Sequence, residues 1–486
     1  LTACSPARER KWSPYQRAIF DDVESGKGHS VVVARAGSGK STTIVKSFDH
    51  VPTGTRTLMA AFNSSIAADL REAAREAKAR VEVRTMHSFG FAALKSAFGS
   101  RLDDRKVPGM VRARFDGSEL GPAVVRRQIE RAASLAKAVN AKGATEVDFI
   151  LDRAGVDVAP HLRPQVIAAA LWVLEESKAD PSVVSFDDMV WLPVVLGLRV
   201  PQFDRVFVDE TQDFNRTMVE LALMACAPGG RICAVGDDRQ AIYGFRGADE
   251  RAIPSLITRL DAKRLALSVC YRCAKSIVRL AAETVSDIEV APGAEIGIVD
   301  KVGEGRMLEQ ARPGDFVLSR TNAPLIQLFF RFVSKSVPVK VAGRDVGARI
   351  ADLVSRSRAD TVDALTRRIE QWRRRERARL EAQDPPGDTD TVDDMAECVT
   401  ILAAGARSIA EVDARIKDIF AEDAKSEDLL ILSSTHKAKG AERQRVWLLE
   451  DTYRNKPSVE EDNLWYVAVT RAQRELYLVG GIGGRK

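Results

Sequence analysis

The stretch VVVARAGSGKSTTIVKS, residues 31–47, decides the reading of the fold. Val31, Val32 and Val33 form a short β-branched apolar run, the composition of a strand buried on both faces of a parallel sheet. Arg35 to Gly39 is a turn rich in small residues, and from Lys40 onward the pattern is helical. A strand, a glycine loop and a helix that begins with Lys-Ser make a phosphate cradle. The backbone N–H groups of Gly37, Ser38 and Gly39 point inward and the helix N-terminus adds positive partial charge, while Lys40 reaches the outer phosphates and Ser41 can hold Mg²⁺. Ala34 stands where the G-x-x-x-x-G-K-[ST] pattern has its first glycine, a position that needs only a small residue.

The chain around this loop has 486 residues, too many for one core, and roughly three or four domains are expected. With 45% hydrophobic and 29% charged residues it falls in the globular class. A formal charge of +5, from 73 Lys and Arg against 68 Asp and Glu, is mildly basic and permits a nucleic-acid partner. No apolar run approaches the roughly 20 residues that span a bilayer, so no membrane partner is expected. The opening Leu1-Thr2-Ala3-Cys4 resembles a lipoprotein cleavage box with nothing hydrophobic before it, and is read as a disordered start. Six cysteines, at 4, 226, 233, 270, 273 and 398, suit a reducing cytoplasm, the expected location. Cys270 and Cys273 form a C-x-x-C, but no second pair or nearby His completes a zinc set.

The second strong signal is RVFVDETQDFN, residues 205–215. Val206, Phe207 and Val208 read as a buried strand with Asp209-Glu210 at its carboxyl end. In an enzyme built on such a loop, the first acidic residue holds Mg²⁺ and the second takes a proton from water attacking the γ-phosphate. RICAVGDDRQAIYGFRGAD, residues 231–249, repeats the sequence of strand, acidic turn and loop. Gln240 is a candidate γ-phosphate sensor there, and Tyr243, Phe245 and Arg246 make an aromatic and basic cluster. Such rings either fill a core or stack on bases of any sequence, and the flanking Gly244 and Gly247 favour an exposed loop.

The remaining segments are weaker singly. In WSPYQRAIF, residues 12–20, Gln16 opens an amphipathic helix and could offer its amide to adenine, or be an ordinary surface glutamine. Phe62-Asn63 and Thr85-Met86-His87 each follow an apolar run, where open parallel sheets bind ligands; loop residues with capping duties are the alternative. Residues 100–182 look mainly helical, with Arg112, Arg114, Arg126, Arg127 and Arg131 on a solvated face or, in the alternative, against phosphate. Apolar runs at 265–269, 316–319, 337–341, 429–433, 445–449 and 475–479 imply a second parallel sheet without a glycine loop of its own. It is broken by residues 346–427, where an arginine-rich helix precedes an acidic stretch. SSTHKAKGAE, residues 433–442, offers Thr435, His436 and Lys439 to phosphates and Glu442 to a ribose hydroxyl, and Arg471 follows the apolar Val467-Ala468-Val469.

Taken together, Gln16, ARAGSGKST, AFNSSIA, TMHSFG, VFVDETQDFN, VGDDRQAIYGFRGAD, CYRC, THKAKGAE and YVAVTRA occur in the order in which superfamily 1 helicases of the UvrD, Rep and PcrA type carry their motifs. The chain resembles that family from about residue 10 to about residue 480. The resemblance implies an α/β fold of two RecA-like lobes: 1–99 with 183–262, and 263–345 with 428–486, interrupted by helical insertions at 100–182 and 346–427. It implies ATP and Mg²⁺ as cofactors. ATP would contact Gln16, Ala36, Gly37, Ser38, Gly39, Lys40, Ser41, Thr42, Tyr271, Arg272, Glu442 and Arg471, with Tyr271 stacked on adenine and Arg272 and Arg471 on the γ-phosphate. Lys40, Asp209, Glu210, Gln240, Arg272 and Arg471 would carry the chemistry, with Ser41 and Asp209 on the metal. Single-stranded DNA and its junctions with duplex would lie against Phe62, Asn63, Thr85, His87, Tyr243, Phe245, Arg246, Thr435, His436 and Lys439. The expected activity is ATP-driven 3′-to-5′ movement with unwinding, beside a translocase that strips bound proteins without unwinding, or a helicase of 5′-to-3′ polarity. The second insertion is shorter than the regulatory subdomain of the family's long members, which leaves room for a protein partner.

Overall fold

The computed structural model describes residues 11–76, 80–156, 158–242, 252–382, 389–421, 428–453 and 458–481. The chain forms two compact units, Leu1–Val269 and Cys270–Lys486. The opening residues 1–10, Cys4 among them, and the candidate DNA contacts Tyr243, Phe245 and Arg246 lie outside the described residues.

The first unit is organised on a six-stranded sheet in which every pairing is parallel. Its strands are β1 (Ser30–Ala34), β2 (Thr57–Ala61), β3 (Val81–Thr85), β4 (Phe203–Val208), β5 (Cys226–Gly236) and β6 (Lys263–Leu267), in the order β3-β2-β4-β5-β1-β6. The two-residue period of a strand sends alternate side chains to two separate cores. Val31, Val33, Leu58, Ala60, Val206 and Val208 face one core, and Val32, Met59, Phe207, Cys233 and Val235 face the other. Both faces of the central strands β1 and β2 are covered, which is why they are continuous apolar runs, whereas the edge strands β3 and β6 carry charged residues between their apolar ones.

Parallel pairing also aligns the carboxyl ends. Val33 sits beside Gly236, and Val208 beside Ala234, so the turns after β1, β4 and β5 open on the same edge of the sheet. Between β3 and β4 the chain builds helices Lys106–Phe115, Ala123–Val139, Ala144–Arg153 and Arg163–Ala179 around a core of their own. A two-residue pairing of Arg101–Leu102 with Val183–Val184 closes the base of this excursion.

The expected boundary between the two halves at 262/263 is corrected here. Lys263–Leu267 runs parallel to β1, with Leu265 opposite Val32, so it is the edge strand of the first sheet and the division falls after Val269. An apolar run satisfies either sheet locally. Which strand it joins depends on a partner more than 200 residues away.

The second unit holds a seven-stranded, all-parallel sheet: β7 (Ile298–Gly303), β8 (Phe316–Ser319), β9 (Val339–Ala342), β10 (Phe420–Ala421), β11 (Leu430–Ser434), β12 (Arg443–Leu449) and β13 (Ala472–Gly480). The order is β7-β13-β12-β8-β11-β9-β10. Helices Arg344–Ser357, Val362–Glu381, Asp390–Ala403 and Ile409–Ile419 interrupt the strands in sequence but share one core with them, since Ile350, Leu365, Val399 and Ile416 pack with Val317, Phe332 and Trp447. The arginine-rich helix is tied down by charge. Arg373 and Arg377 both bind Asp393, at 2.7 and 2.6 Å.

Candidate functional site

The loop after β1 is shaped by two glycines with left-handed backbone, Gly37 (φ 67°) and Gly39 (φ 78°), conformations that L side chains rarely adopt. Gly39 caps the helix Lys40–Ser47 and contributes no side-chain acceptor, so the helix opens with N–H groups available to a ligand. Ser38 is almost fully buried, and its hydroxyl has no hydrogen-bond partner among the described residues. An orphaned hydroxyl in a turn of this curvature suits a phosphate oxygen. Ser41 and Thr42 are exposed on the first turn of the helix, whereas Ala34 and Ala36 are buried.

Lys40 Nζ lies 2.9 Å from each carboxylate oxygen of Glu210. Burial alone would lower the Lys40 pKa, but Glu210, Asp209 and Asp237 outweigh it and hold the ammonium above its ordinary range. Glu210 has φ 49°, an unfavourable value for a residue with a Cβ, and its N–H donates to Asp209 Oδ1 at 2.8 Å. Asp209 is pushed up to about 7, first by burial and then by the charge of Glu210, against the pull of Lys40. Two carboxylates and one ammonium thus share a nearly dry pocket at the ends of β1 and β4.

The structure adds residues that sequence reasoning passed over. Gln212 is buried; its amide N–H₂ donates to Glu210 Oε2 and its Oε1 accepts the Asp237 backbone N–H at 2.9 Å. Gly236 permits this approach, since a Cβ there would fall 2.5 Å from Gln212 Oε1. Asp237 is fully buried; it accepts Gln240 Nε2 at 2.7 Å and pairs with Arg35 Nη1 at 2.8 Å, which also reaches Asp238 at 2.6 Å. Burial raises the Asp237 carboxyl and Arg35 opposes that shift. Arg35 belongs to the glycine loop itself. The contacts therefore close a circuit: Lys40, Glu210, Gln212, Asp237, Arg35 and back to the loop. The available signal was a lone arginine within a turn of small residues.

Gln16 is brought to this loop from the first helix, Pro14–Ser25. It is buried rather than a surface residue: its Oε1 accepts the Ser13 N–H at 3.0 Å, and its Nε2 donates to Thr43 Oγ1, which donates to the Gly39 carbonyl. An open groove of about 460 Å³ lies along the helices Lys40–Ser47 and Ser64–Glu76, lined by Trp12, Ser41, Thr42, Val45 and Leu70 among others.

The residues expected at DNA divide unevenly. Phe62 is half-buried against the core, its ring 6.4 Å from that of Phe214. Asn63 is exposed and accepts the Ile66 N–H, and Thr85 caps its helix by accepting the Ser88 N–H, so both have capping duties. His87 stacks on Phe186 at 4.1 Å, and burial lowers its pKa to about 4, which makes it a neutral ring rather than a cation at neutral pH. Thr435 was expected to face phosphates; instead it is fully buried, with its hydroxyl bonded to Tyr453 OH. His436 and Lys439 are half-buried beside it.

In the second unit, Tyr271 is 48% exposed. Arg272 pairs with Glu442, which also accepts Gln473 Nε2 at 2.9 Å. Arg471, expected to reach outward, is turned into its own unit: Nε donates to the Val467 carbonyl at 2.9 Å and Nη1 to that of Ala441 at 3.2 Å. Burial, with repulsion from Arg272, brings its pKa down to about 10. The apolar end of the helix Val459–Val469, leading into Thr470-Arg471, gives no hint that the arginine folds back.

Residues 15–260, the half of the chain that holds the glycine loop, Asp209-Glu210 and Gln240, match the UvrD/REP helicase N-terminal domain. The chain belongs to the UvrD/REP helicase family. Residues 429–479, with Glu442 and Arg471, match the UvrD-like helicase C-terminal domain. Among curated relatives of this helicase family, the ATP-dependent DNA helicase PcrA of Staphylococcus epidermidis is 31% identical over 136 residues, 26% of this chain and 19% of that protein. The protein of the same name from Staphylococcus aureus is 30% identical over 138 residues, with the same coverage. The matched segment thus spans about a fifth of the length of these relatives. Among the described residues of this family member, no helix is long and apolar enough to cross a membrane.

Proposed function

We propose that the chain is an ATP-dependent DNA motor that moves 3′ to 5′ on single-stranded DNA and opens duplex at its junctions with single strands. The observation that carries the reading is the circuit at the end of the first sheet, in which Lys40 and Glu210 are held face to face beside Asp209. In this reading Gly37, Ser38 and Gly39 bind the phosphates of ATP, Lys40 leaves Glu210 for the outer phosphates, and the freed Glu210 carboxylate accepts a proton from the attacking water. Mg²⁺, held by Ser41 and Asp209, would neutralise phosphate charge. Gln16 fixes the loop through Thr43. Gln240, bonded to Asp237, senses the γ-phosphate. Tyr271, with its exposed ring, serves adenine, and Arg272 the γ-phosphate with Glu442 as its partner. Arg471 adds positive potential from below Arg272.

The test is strand displacement on matched duplexes with a 3′ or a 5′ single-stranded tail, with ATP hydrolysis followed in parallel. Opening only the 3′-tailed duplex supports the proposal. Opening only the 5′-tailed duplex overturns the polarity. DNA-stimulated hydrolysis that opens neither duplex leaves a translocase and overturns unaided unwinding, and a protein partner would then be sought. The sharing of one core between the second sheet and the helices of residues 344–419 favours that translocase as the second reading, since among the described residues this insertion does not form a module with a core of its own.

A further inference from the structure

The C-x-x-C at residues 270–273 has no part in the chemistry above. Both thiols are free and buried, Cys270 fully and Cys273 to 3% exposure. The Cys273 thiol and the backbone N–H groups of Arg272 and Cys273 are the hydrogen-bonding neighbours of the Cys270 sulfur. The Cys273 S–H itself donates to the Thr470 carbonyl, at 3.7 Å. The turn between them reaches the surface, since Tyr271 is half-exposed. Among the described residues no third His, Cys, Asp or Glu joins the pair, so a tetrahedral metal centre is not formed.

We propose that Cys270 and Cys273 are a reversible dithiol–disulfide site, with Cys270 the attacking thiolate and Cys273 the resolving thiol. The electrostatics agree with this division. The hydrogen bond with Cys273 outweighs burial, and with the two N–H groups and Arg272 it brings Cys270 down to about 7, while Cys273 is held well above the ordinary thiol range. The co-reactant is a hydroperoxide, small enough to enter a buried turn. The Cys270 thiolate attacks one peroxide oxygen, the O–O bond breaks, and the departing hydroxide takes a proton to become water. The resulting sulfenic acid is attacked by the Cys273 sulfur, which forms the S–S bond and releases a second water. In sum, two thiols and one hydrogen peroxide give one disulfide and two waters. A small dithiol reverses it by exchange. A pair of this kind fits a reducing compartment, where disulfides are transient and redox-sensing.

The bond would enclose Tyr271 and Arg272 in a small ring. If those residues serve the nucleotide, as proposed above, oxidation changes nucleotide affinity; that consequence rests on the previous reading, whereas the disulfide does not. The experiment treats the whole chain with stoichiometric hydrogen peroxide and maps the products by mass. Trypsin cuts after Arg272, so a bond leaves peptides 265–272 and 273–275 joined. The expected result is a loss of 2 Da at that linkage, restored by dithiothreitol. Cys273→Ser should instead accumulate a sulfenic acid on Cys270 that dimedone traps, and Cys270→Ser should give neither product. A peroxide-treated chain whose 270 and 273 thiols stay free while the half-buried Cys226 is oxidised would overturn the site, as would dimedone labelling of Cys273 first. A formed disulfide that leaves the affinity for a fluorescent ATP analogue within twofold of the reduced chain would retain the site and overturn its effect on the nucleotide. Fluorescent-analogue binding absent from both forms would instead overturn the nucleotide reading.

Discussion

Replacing Arg35 with Ala tests whether the circuit around the glycine loop is a structural unit. The Arg35 and Asp237 side chains are 4% and 0% exposed and lie 2.8 Å apart, so the substitution leaves the Asp237 carboxylate in a dry site without its directly paired cation, with Lys40 as the remaining positive charge acting on it. Breaking a buried pair from one side costs about 3–5 kcal/mol. Asp237 keeps Gln240 Nε2 at 2.7 Å and the Arg239 N–H at 3.1 Å, and Asp238 is 30% exposed and adds little, so the lower end, about 3 kcal/mol, is expected. With a slope of about 3 kcal/mol per molar urea, the midpoint of the first unit should fall by about 1 M, read by circular dichroism at pH 8. The sign with pH follows from Asp237. Its folded carboxyl already sits above the ordinary range through burial, and loss of Arg35 raises it further. A raised carboxyl favours the neutral form in the fold, so the deficit is full above the folded pKa and shrinks as pH falls through it. Asp237→Asn should rescue Arg35→Ala, with a coupling of at least about 1.5 kcal/mol in a double-mutant cycle. A loss under about 1 kcal/mol, or additive single substitutions, would refute the reasoning.

Four further outcomes are expected. Lys40→Ala should abolish ATP turnover in a coupled assay, and unchanged turnover would remove the loop from the active site. Glu210→Gln should retain nucleotide binding and slow hydrolysis by roughly 10²- to 10⁴-fold; a wild-type single-turnover rate would exclude it as the base. His87, stacked and lowered to about 4, protonates in the unfolded chain first as pH drops below about 6.5, so it erodes stability between that pH and about 4. His87→Asn should therefore flatten the acid side of the stability profile while leaving the salt dependence of single-strand binding at pH 7 unchanged, and a shallower salt slope would mean that the ring binds as a cation. Phe245→Ala should weaken single-strand binding by roughly 1–3 kcal/mol in a fluorescence titration, and equal affinity would assign the ring to the core.

Much of this molecule was legible in one dimension, because some of its physics is local. Val31 to Val33 followed by a glycine turn and Lys-Ser fixes a strand, a loop and a helix through backbone preferences alone, and the apolar runs at 206–208 and 316–319 announce strands buried on both faces. The pairing of Asp209-Glu210 with Lys40 was also readable, since parallel strands present their carboxyl ends on one edge. Tertiary structure decided what depends on distant partners. Lys263–Leu267 completes the first sheet because β1 offers an unpaired edge, and no property of the pentapeptide says so. Gln16 is buried because Thr43 meets its amide, Thr435 because Tyr453 covers it, and Arg471 turns inward because two carbonyls lie within its reach. Arg35 finds Asp237 across 202 residues of chain. Residue type and spacing name the groups capable of chemistry; which of them face solvent and which face one another is set by long-range packing.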